Sequence, residues 1–276
     1  MRRIYNVVAL ALIASVTFVS CSDQDATPEN EVPDHVTSQL ANLGFDVDNM
    51  APIQFEDGYL VEGDIYLTDQ TIADMGQPNY LPNVEQYSTN NLVSTNGNRV
   101  ITMYAPTGRK GYSAGMIAGL DLAIARYNAE NLGISFQRTT NSRTADIVMK
   151  RLSKRDERRG VLGSAGFPTS GGDPYGQILM SGILESSYGL STGGIATIIG
   201  HEMGHCIGFR HTDYFDRSIS CGGATANEGS SGVGANHIPG TPTGASVNQG
   251  SYMLACSDGS DRPFNNDDKT ALDYLY

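Results

Sequence analysis

Positive charge is missing from a long stretch of this chain. Residues 22–98 contain 14 acidic side chains and no lysine or arginine, whereas the part from Arg99 onward has 16 residues of each sign. The net charge of −12 therefore belongs to one segment and says little about partners of the remainder. A boundary near Arg99 also fits the loop composition of STNNLVSTNGN just before it. Long apolar runs are scarce as well. Beyond residues 4–19 no stretch approaches the roughly 20 apolar residues that a bilayer-spanning helix needs, which excludes a bundle of membrane-spanning helices. Cysteine is limited to four positions, none between Cys21 and Cys206, so a disulfide-dense scaffold is excluded. No internal repeat is present, and solenoids drop out with it.

Histidine is scarce too, with five in the chain, yet three of them crowd into HEMGHCIGFRH, residues 201–211. On a helix His201 and His205 sit one turn apart and point the same way, so two imidazoles can converge on one ion. Gly208 permits the left-handed turn that ends a helix, which lets the chain reverse and bring His211 to the same ion. Three protein ligands with an open fourth position are the pattern of a catalytic zinc. Glu202 is left beside the metal without being a ligand, where a carboxylate can take a proton from water and deliver it to a leaving amine. Satisfied core histidines are the competing reading. The glycine and the third histidine at fixed offsets, after the apolar Ile195, Ile198 and Ile199, favour zinc.

HExxHxxGxxH is the signature of the metzincin metallopeptidases, and the chain resembles them again at Ser251-Tyr252-Met253, which matches their methionine turn. The wider stretch HEMGHCIGFRHTDYF, with three cysteines nearby, is most similar to the M57 group of bacterial secreted peptidases. The resemblance implies an α+β fold with a twisted, mixed five-stranded sheet, an active-site helix and a C-terminal helix. It implies His201, His205 and His211 as zinc ligands, Glu202 as general base and acid, and Met253 as a hydrophobic floor under the metal. It further implies that a substrate peptide adds as a strand along an edge strand at VLGSAGFP. One position departs from the pattern: astacin-like and serralysin-like members carry a metal-binding tyrosine two residues after the methionine, and here that residue is Ala255.

The part from Arg99 onward is one domain's worth of chain. RVITMYAP, ISFQRTT, TADIVM, VLGSAGF and QILMSG read as strands. Residues 113–131 place Met116, Leu120, Ile124 and Tyr127 on one helical face, and DDKTALDYLY reads as a closing helix. Strands drawn mainly from the first half, followed by the metal helix, make an α+β order. Residues 221–250 hold eight glycines and no apolar period, the composition of an irregular loop. In the family pattern this loop walls the pocket for the residue after the scissile bond, and His237 within it reads as a packing residue. Cys206 reads as a small buried side chain. Cys221 and Cys256 are expected to clip the loop to the methionine turn, with three reduced thiols as the alternative. KRLSKRDERR, residues 150–159, lacks interleaved aromatics and reads as a solvated connection rather than a nucleic-acid site, or as a dock for the acidic segment. GSAGFPTSGGDPYGQ carries a weak calcium-loop signal that is more simply a turn.

The first 21 residues, with Arg2, Arg3, an apolar run and then Cys21, form an export signal and not a folded element. A cysteine directly after the run resembles a bacterial lipoprotein signal, with Cys21 acylated; plain secretion is the alternative. The expected organisation is a signal at 1–21, an acidic pro-segment at 22–98 and a zinc peptidase domain at 99–276. The destination is a cell-surface or periplasmic lipoprotein, released after processing. An acidic stalk is the other reading of 22–98. Within it, Val61-Glu62-Gly63-Asp64 is similar to the F-x-G-D of astacin-like pro-segments. By that resemblance Asp64 caps the zinc until an activating protease cuts between Tyr66 and Arg99; a Gly-Asp turn between strands is the plainer reading. The expected partners are a protein or peptide substrate, the activating protease, and a membrane only through a lipid on Cys21. Two functions compete: a surface binding lipoprotein with structural zinc, and a zinc hydrolase of a non-peptide amide.

The chain is expected to bind one zinc, and His201→Ala or His205→Ala to lose it, because two ligands would remain. Elemental analysis of the purified variants checks this; full occupancy in either removes the ligand assignment.

Overall fold

The zinc-motif segment becomes a helix for local reasons. Ser191 accepts a hydrogen bond from the backbone N–H of Gly194 and caps its start, and every residue from 194 to 206 is buried. The helix therefore runs through the protein, which its apolar first half permits and its histidines must be paired to survive.

The computed structural model describes residues 32–74, 86–109, 111–229, 233–242 and 244–276. The expected export signal at 1–21, Cys21 included, lies outside the described residues. In chain order, α1 (Asp34–Asn42) is followed by β1 (Ile53–Phe55), β2 (Gly58–Val61), β3 (Ile65–Leu67), α2 (Asp69–Asp74) and β4 (Tyr87–Ser88). Next come β5 (Arg99–Tyr104), α3 (Ala114–Ala129), β6 (Ile134–Thr139), β7 (Ile147–Arg151), α4 (Lys154–Arg158), β8 (Gly163–Ala165) and β9 (Gln177–Met180). The motif helix α5 (Thr192–Cys206), a short α6 (Ser218–Cys221), β10 (Asn236–His237), a 3-10 turn at Val247–Gln249 and α7 (Asn266–Leu275) complete the order. Among the described residues no helix is long and apolar enough to cross a membrane.

The fold is α+β with a mixed sheet, but the sheet has eight strands in the order β1-β2-β3-β8-β9-β7-β5-β6, not five. The strands from Arg99 onward supply β5 to β9, and the acidic segment supplies the other three. Pairing is parallel through β6, β5, β7 and β9, then antiparallel from β9 to β8. β8 would otherwise present a row of unpaired backbone groups to solvent. Instead β3 lies parallel beside it, with Ile65 opposite Ala165 and the Ala165 N–H donating to the Asp64 carbonyl at 3.1 Å. VLGSAGFP is therefore not an open edge, and the place where a substrate strand was expected is taken by the chain itself.

Apolar burial holds the acidic segment there. Val36, Leu40, Tyr59, Val61, Ile65 and Leu67 cluster with Phe167 and Val233, and Phe55, Leu60 and Tyr66 cluster with Leu152, Val161 and Leu179. Burial of each such side chain is worth about 1.5–3 kcal/mol, so this attachment is not a loose tether. Residues 86–94 are bound more intimately still. β4 pairs with β10, the Arg210 N–H donates to the Tyr87 carbonyl, and the Thr89 N–H donates to that of Gly208. Residues 150–159 are not only a solvated link: they end in α4, whose Asp156 and Glu157 are buried while its basic side chains face solvent. Glu157 accepts from Arg151 and from the Gly182 N–H.

The main core lies between the sheet, α3 and α5. After α5 the chain turns at Gly208, where φ is 107°, a region that L side chains avoid. A Cβ there would also lie 2.8 Å from Leu92 Cδ2 and 3.0 Å from the Asn91 carbonyl oxygen. Gly208→Ala is expected to destabilise the protein by about 1–3 kcal/mol and to lower its melting temperature by several degrees. Calorimetry on the variant checks this, and an unchanged melting temperature would show that the turn carries no strain.

Candidate metal centre

α5 presents His201 and His205 one turn apart, and the turn at Gly208 brings His211 back to them. His205 Nε2 lies 3.1 Å from His201 Nε2 and 3.2 Å from His211 Nε2. The other nitrogen of each ring faces an oxygen acceptor. His201 Nδ1 is 2.9 Å from the Tyr252 carbonyl, His205 Nδ1 is 2.9 Å from the Phe209 carbonyl, and His211 Nδ1 is 2.6 Å from Glu228 Oε1. Each Nδ1 therefore carries the proton and donates it, which leaves three Nε2 lone pairs aimed at one another. Lone pairs at that separation repel unless a positive charge lies between them, and this donor set fits a zinc-type cation.

Asp64 joins the cluster from the turn between β2 and β3. Its Oδ2 is 3.1 Å from His211 Nε2 and 3.8 Å from His201 Nε2. Ligand atoms of Asp64, His201, His205 and His211 all lie within 4.8 Å of one another. The turn is also the plain Gly-Asp connection between paired strands: Val61 sits opposite Ile65, with Glu62 at φ 53° and Gly63 at φ 90°. The plainer reading, a Gly-Asp turn between strands, is what the backbone forms, and that turn carries Asp64 to the histidines. Burial alone would raise the Asp64 carboxyl, but His211 and His201 beside it hold it well below its ordinary range.

Glu202 is buried against β8, with its carboxylate close to Gly163, where a Cβ would lie 2.4 Å from Glu202 Oε1. Burial and the neighbouring charge of Asp64 push it well above the ordinary carboxylate range. Among the described residues, Glu202 Oε2 and Asp64 Oδ1 are buried polar atoms that accept no hydrogen bond. A cleft of about 260 Å³ opens here, bordered by Asp64, Gly163, Ile198, His201, Glu202 and Leu254.

The sequence profile of the peptidase M57 family, described as dual-action HEIGH metallo-peptidases, matches residues 59–276. The chain belongs to this family. A search of the curated proteins gives no match. In this HEIGH metallopeptidase the motif reads HEMGH, with Met203 buried in the core, and the histidine cluster with Asp64 is a group that could hold the metal the family implies. The matched region begins ahead of β3 and so includes Asp64.

Met253 is fully buried, and its sulfur would lie 2.5 Å from a Cβ at Gly204. The methionine turn thus packs on α5 between His201 and His205 and leaves room there only for glycine. The turn is fixed by hydrogen bonds from the Met253 N–H to Ser251 Oγ and from the Thr212 N–H to the Met253 carbonyl. Cys221 and Cys256 form a disulfide, with Cα atoms 5.1 Å apart, and Cys206 is a free, buried thiol. His237 is not part of the metal cluster; it lies in β10, where its Nε2 is 3.2 Å from Thr241 Oγ1. Asp173, in the glycine-rich stretch with the calcium-loop signal, pairs with Arg99 at 2.7 Å.

Three residues escape a reading of the sequence. Arg210, Arg217 and Glu228 surround the third histidine, with Arg210 and Glu228 side chains fully buried. Arg210 also reaches Glu62 at 3.5 Å and stacks over Phe167 and Tyr214. Burial, together with the charge of Glu228, pushes the Glu62 carboxyl well above its ordinary range. Weak signals do exist. Arg210 is the one charge in the apolar part of the motif, and Glu228 is the one acidic residue between Asp216 and Asp258.

Proposed function

We propose that this metallopeptidase is a zinc endopeptidase of metzincin type, made as a latent precursor. The observation that carries the reading is the convergence of three Nε2 lone pairs with the buried Glu202 beside them. His201, His205 and His211 would hold the zinc, with Asp64 as a fourth donor. Bound there, zinc supplies Lewis acidity toward a peptide carbonyl and makes water a stronger acid. Glu202 accepts the proton of the attacking water and returns it to the departing amine, a role suited to a carboxylate whose proton affinity is raised by burial. Ala255 stands where some relatives of this type place a tyrosine, so charge that develops on the substrate oxygen is stabilised by other groups.

Two features support latency. Asp64 occupies the fourth donor position, and β3 covers the strand that a substrate backbone would use. Both come from the acidic segment, so release of that segment frees donor position and strand together. Because Tyr87 and Thr89 brace the turn at Gly208, an activating cut falls before Gln86. Peptide or protein is the substrate class, and a lipid on Cys21 would tether the exported precursor at a membrane surface.

A binding lipoprotein with structural zinc remains as a second reading, favoured by the same observation that Asp64 completes a four-donor set. Glu202 separates the two. Glu202→Gln is expected to keep its metal and its melting temperature while losing peptide cleavage about a hundredfold or more. Mass spectrometry of a mixed peptide library, with elemental analysis alongside, reads both; equal turnover in the variant makes the glutamate structural.

Asp64→Ala in the full-length chain tests latency. The variant is expected to cleave a fluorogenic peptide faster than the unprocessed parent. A parent already as active as proteolytically trimmed protein rules out latency, and a variant as silent as its latent parent assigns the block to another residue.

A further inference from the structure

The three histidines are not held alike. His201 and His205 donate to backbone carbonyls, whose positions the fold sets, but His211 donates to a carboxylate at 2.6 Å. That carboxylate, Glu228, is fully buried and comes from the glycine-rich loop whose expected task was to wall a substrate pocket. A full negative charge behind an imidazole makes its far nitrogen a stronger donor than a carbonyl dipole does.

A buried carboxylate needs countercharge. Arg217 Nη1 reaches Glu228 Oε1 at 2.5 Å, the same oxygen that His211 uses, while Arg210 Nη2 lies 3.5 Å from Oε2. Backbone contacts fix the pair. The Glu228 N–H donates to the Tyr214 carbonyl, and the Arg217 N–H donates to that of Ala226. The loop, which lies inside the span closed by the disulfide, is thereby pinned to the segment between His211 and Cys221. Arg210 is shared with Glu62 of the acidic segment, so the same charge network touches the turn that delivers Asp64.

We infer that Glu228 is a positioning residue for the metal centre: it orients His211, fixes its tautomer and strengthens its hold on zinc, with Arg217 and Arg210 as the countercharges that let it stay ionised. The inference rests on His211 being a metal ligand. It gives the long loop a task in metal binding that is separate from any contact with substrate.

The test is zinc affinity of the full chain, measured by competition with a chromophoric chelator, with the melting temperature of the chelator-treated protein alongside. Glu228→Gln is expected to weaken zinc binding about 10–100-fold, and Glu228→Asp to recover part of that loss. Removing the carboxylate also leaves the buried Arg217 without its closest countercharge, which by itself impairs folding. Glu228→Gln combined with Arg217→Met restores the charge balance and is expected to regain thermal stability while zinc binding stays weak. Zinc affinity equal to the parent's in Glu228→Gln, or restored in the double variant, overturns the inference and makes Glu228 only a countercharge for Arg217. His211→Ala is the control. If it binds zinc as tightly as the parent, the ligand reading fails; if it loses zinc while Glu228→Gln does not, only the positioning role fails.

Discussion

Three imidazole nitrogens lie within hydrogen-bonding distance of one another with their lone pairs converging, and this is stable only with positive charge between them. The rest of the site answers that constraint. Two backbone carbonyls and one carboxylate accept from the Nδ1 atoms, which turns each Nε2 toward the other two. The carboxylates flanking His211 have a related effect. Burial works against positive charge on its ring, yet Asp64 and Glu228 raise its affinity for a proton, and the same field favours a metal cation. For His205, burial and the adjoining rings lower proton affinity, which suits a neutral donor.

The same electrostatics explain why the acidic segment sits where it does. An aspartate in a largely buried turn loses solvation, and proximity to two metal-site histidines repays it. A glutamate two residues earlier reaches Arg210 at 3.5 Å, which offsets only part of the cost of its burial beside Glu228. Between them lies one glycine, which lets the turn enter a crowded site. Apolar clusters lie on both sides of β3, and the two carboxylates meet His211 and Arg210 in this register. A one-residue slip of β3 along β8 would remove Asp64 from the histidines and turn Ile65 away from Phe167 and Val233.

The buried charges also link parts that are distant in sequence. Glu62, Arg210, Glu228 and Arg217 form a chain from the acidic segment to the loop beyond the third histidine. Each member is tolerable only because the next is present, since an unpaired ion in such a place costs several kcal/mol. Removal of either Glu228 or Arg217 therefore leaves the other without its closest countercharge. The disulfide from Cys221 to Cys256 and the hydrogen bond from the Cys256 N–H to Ser220 Oγ keep this loop and the methionine turn in one unit.

The histidine motif was legible because its information is local: helical periodicity places i and i+4 on one face, and a glycine at the end permits reversal. The main strands, α3 and α7 were legible for the same kind of reason, through apolar spacing and β-rich composition, and the structure adds caps at Ser113 and Asn265. The size of the sheet was not, because β1 to β3 are short and their acidic surroundings suggest a segment apart; only pairing with β8 makes them part of the sheet. Nor were Glu228, Arg210 and Arg217 legible as members of the site. Which buried charge meets which depends on where the loop crosses the helix, and that is set by packing and long-range hydrogen bonds, which have no fixed spacing along the chain.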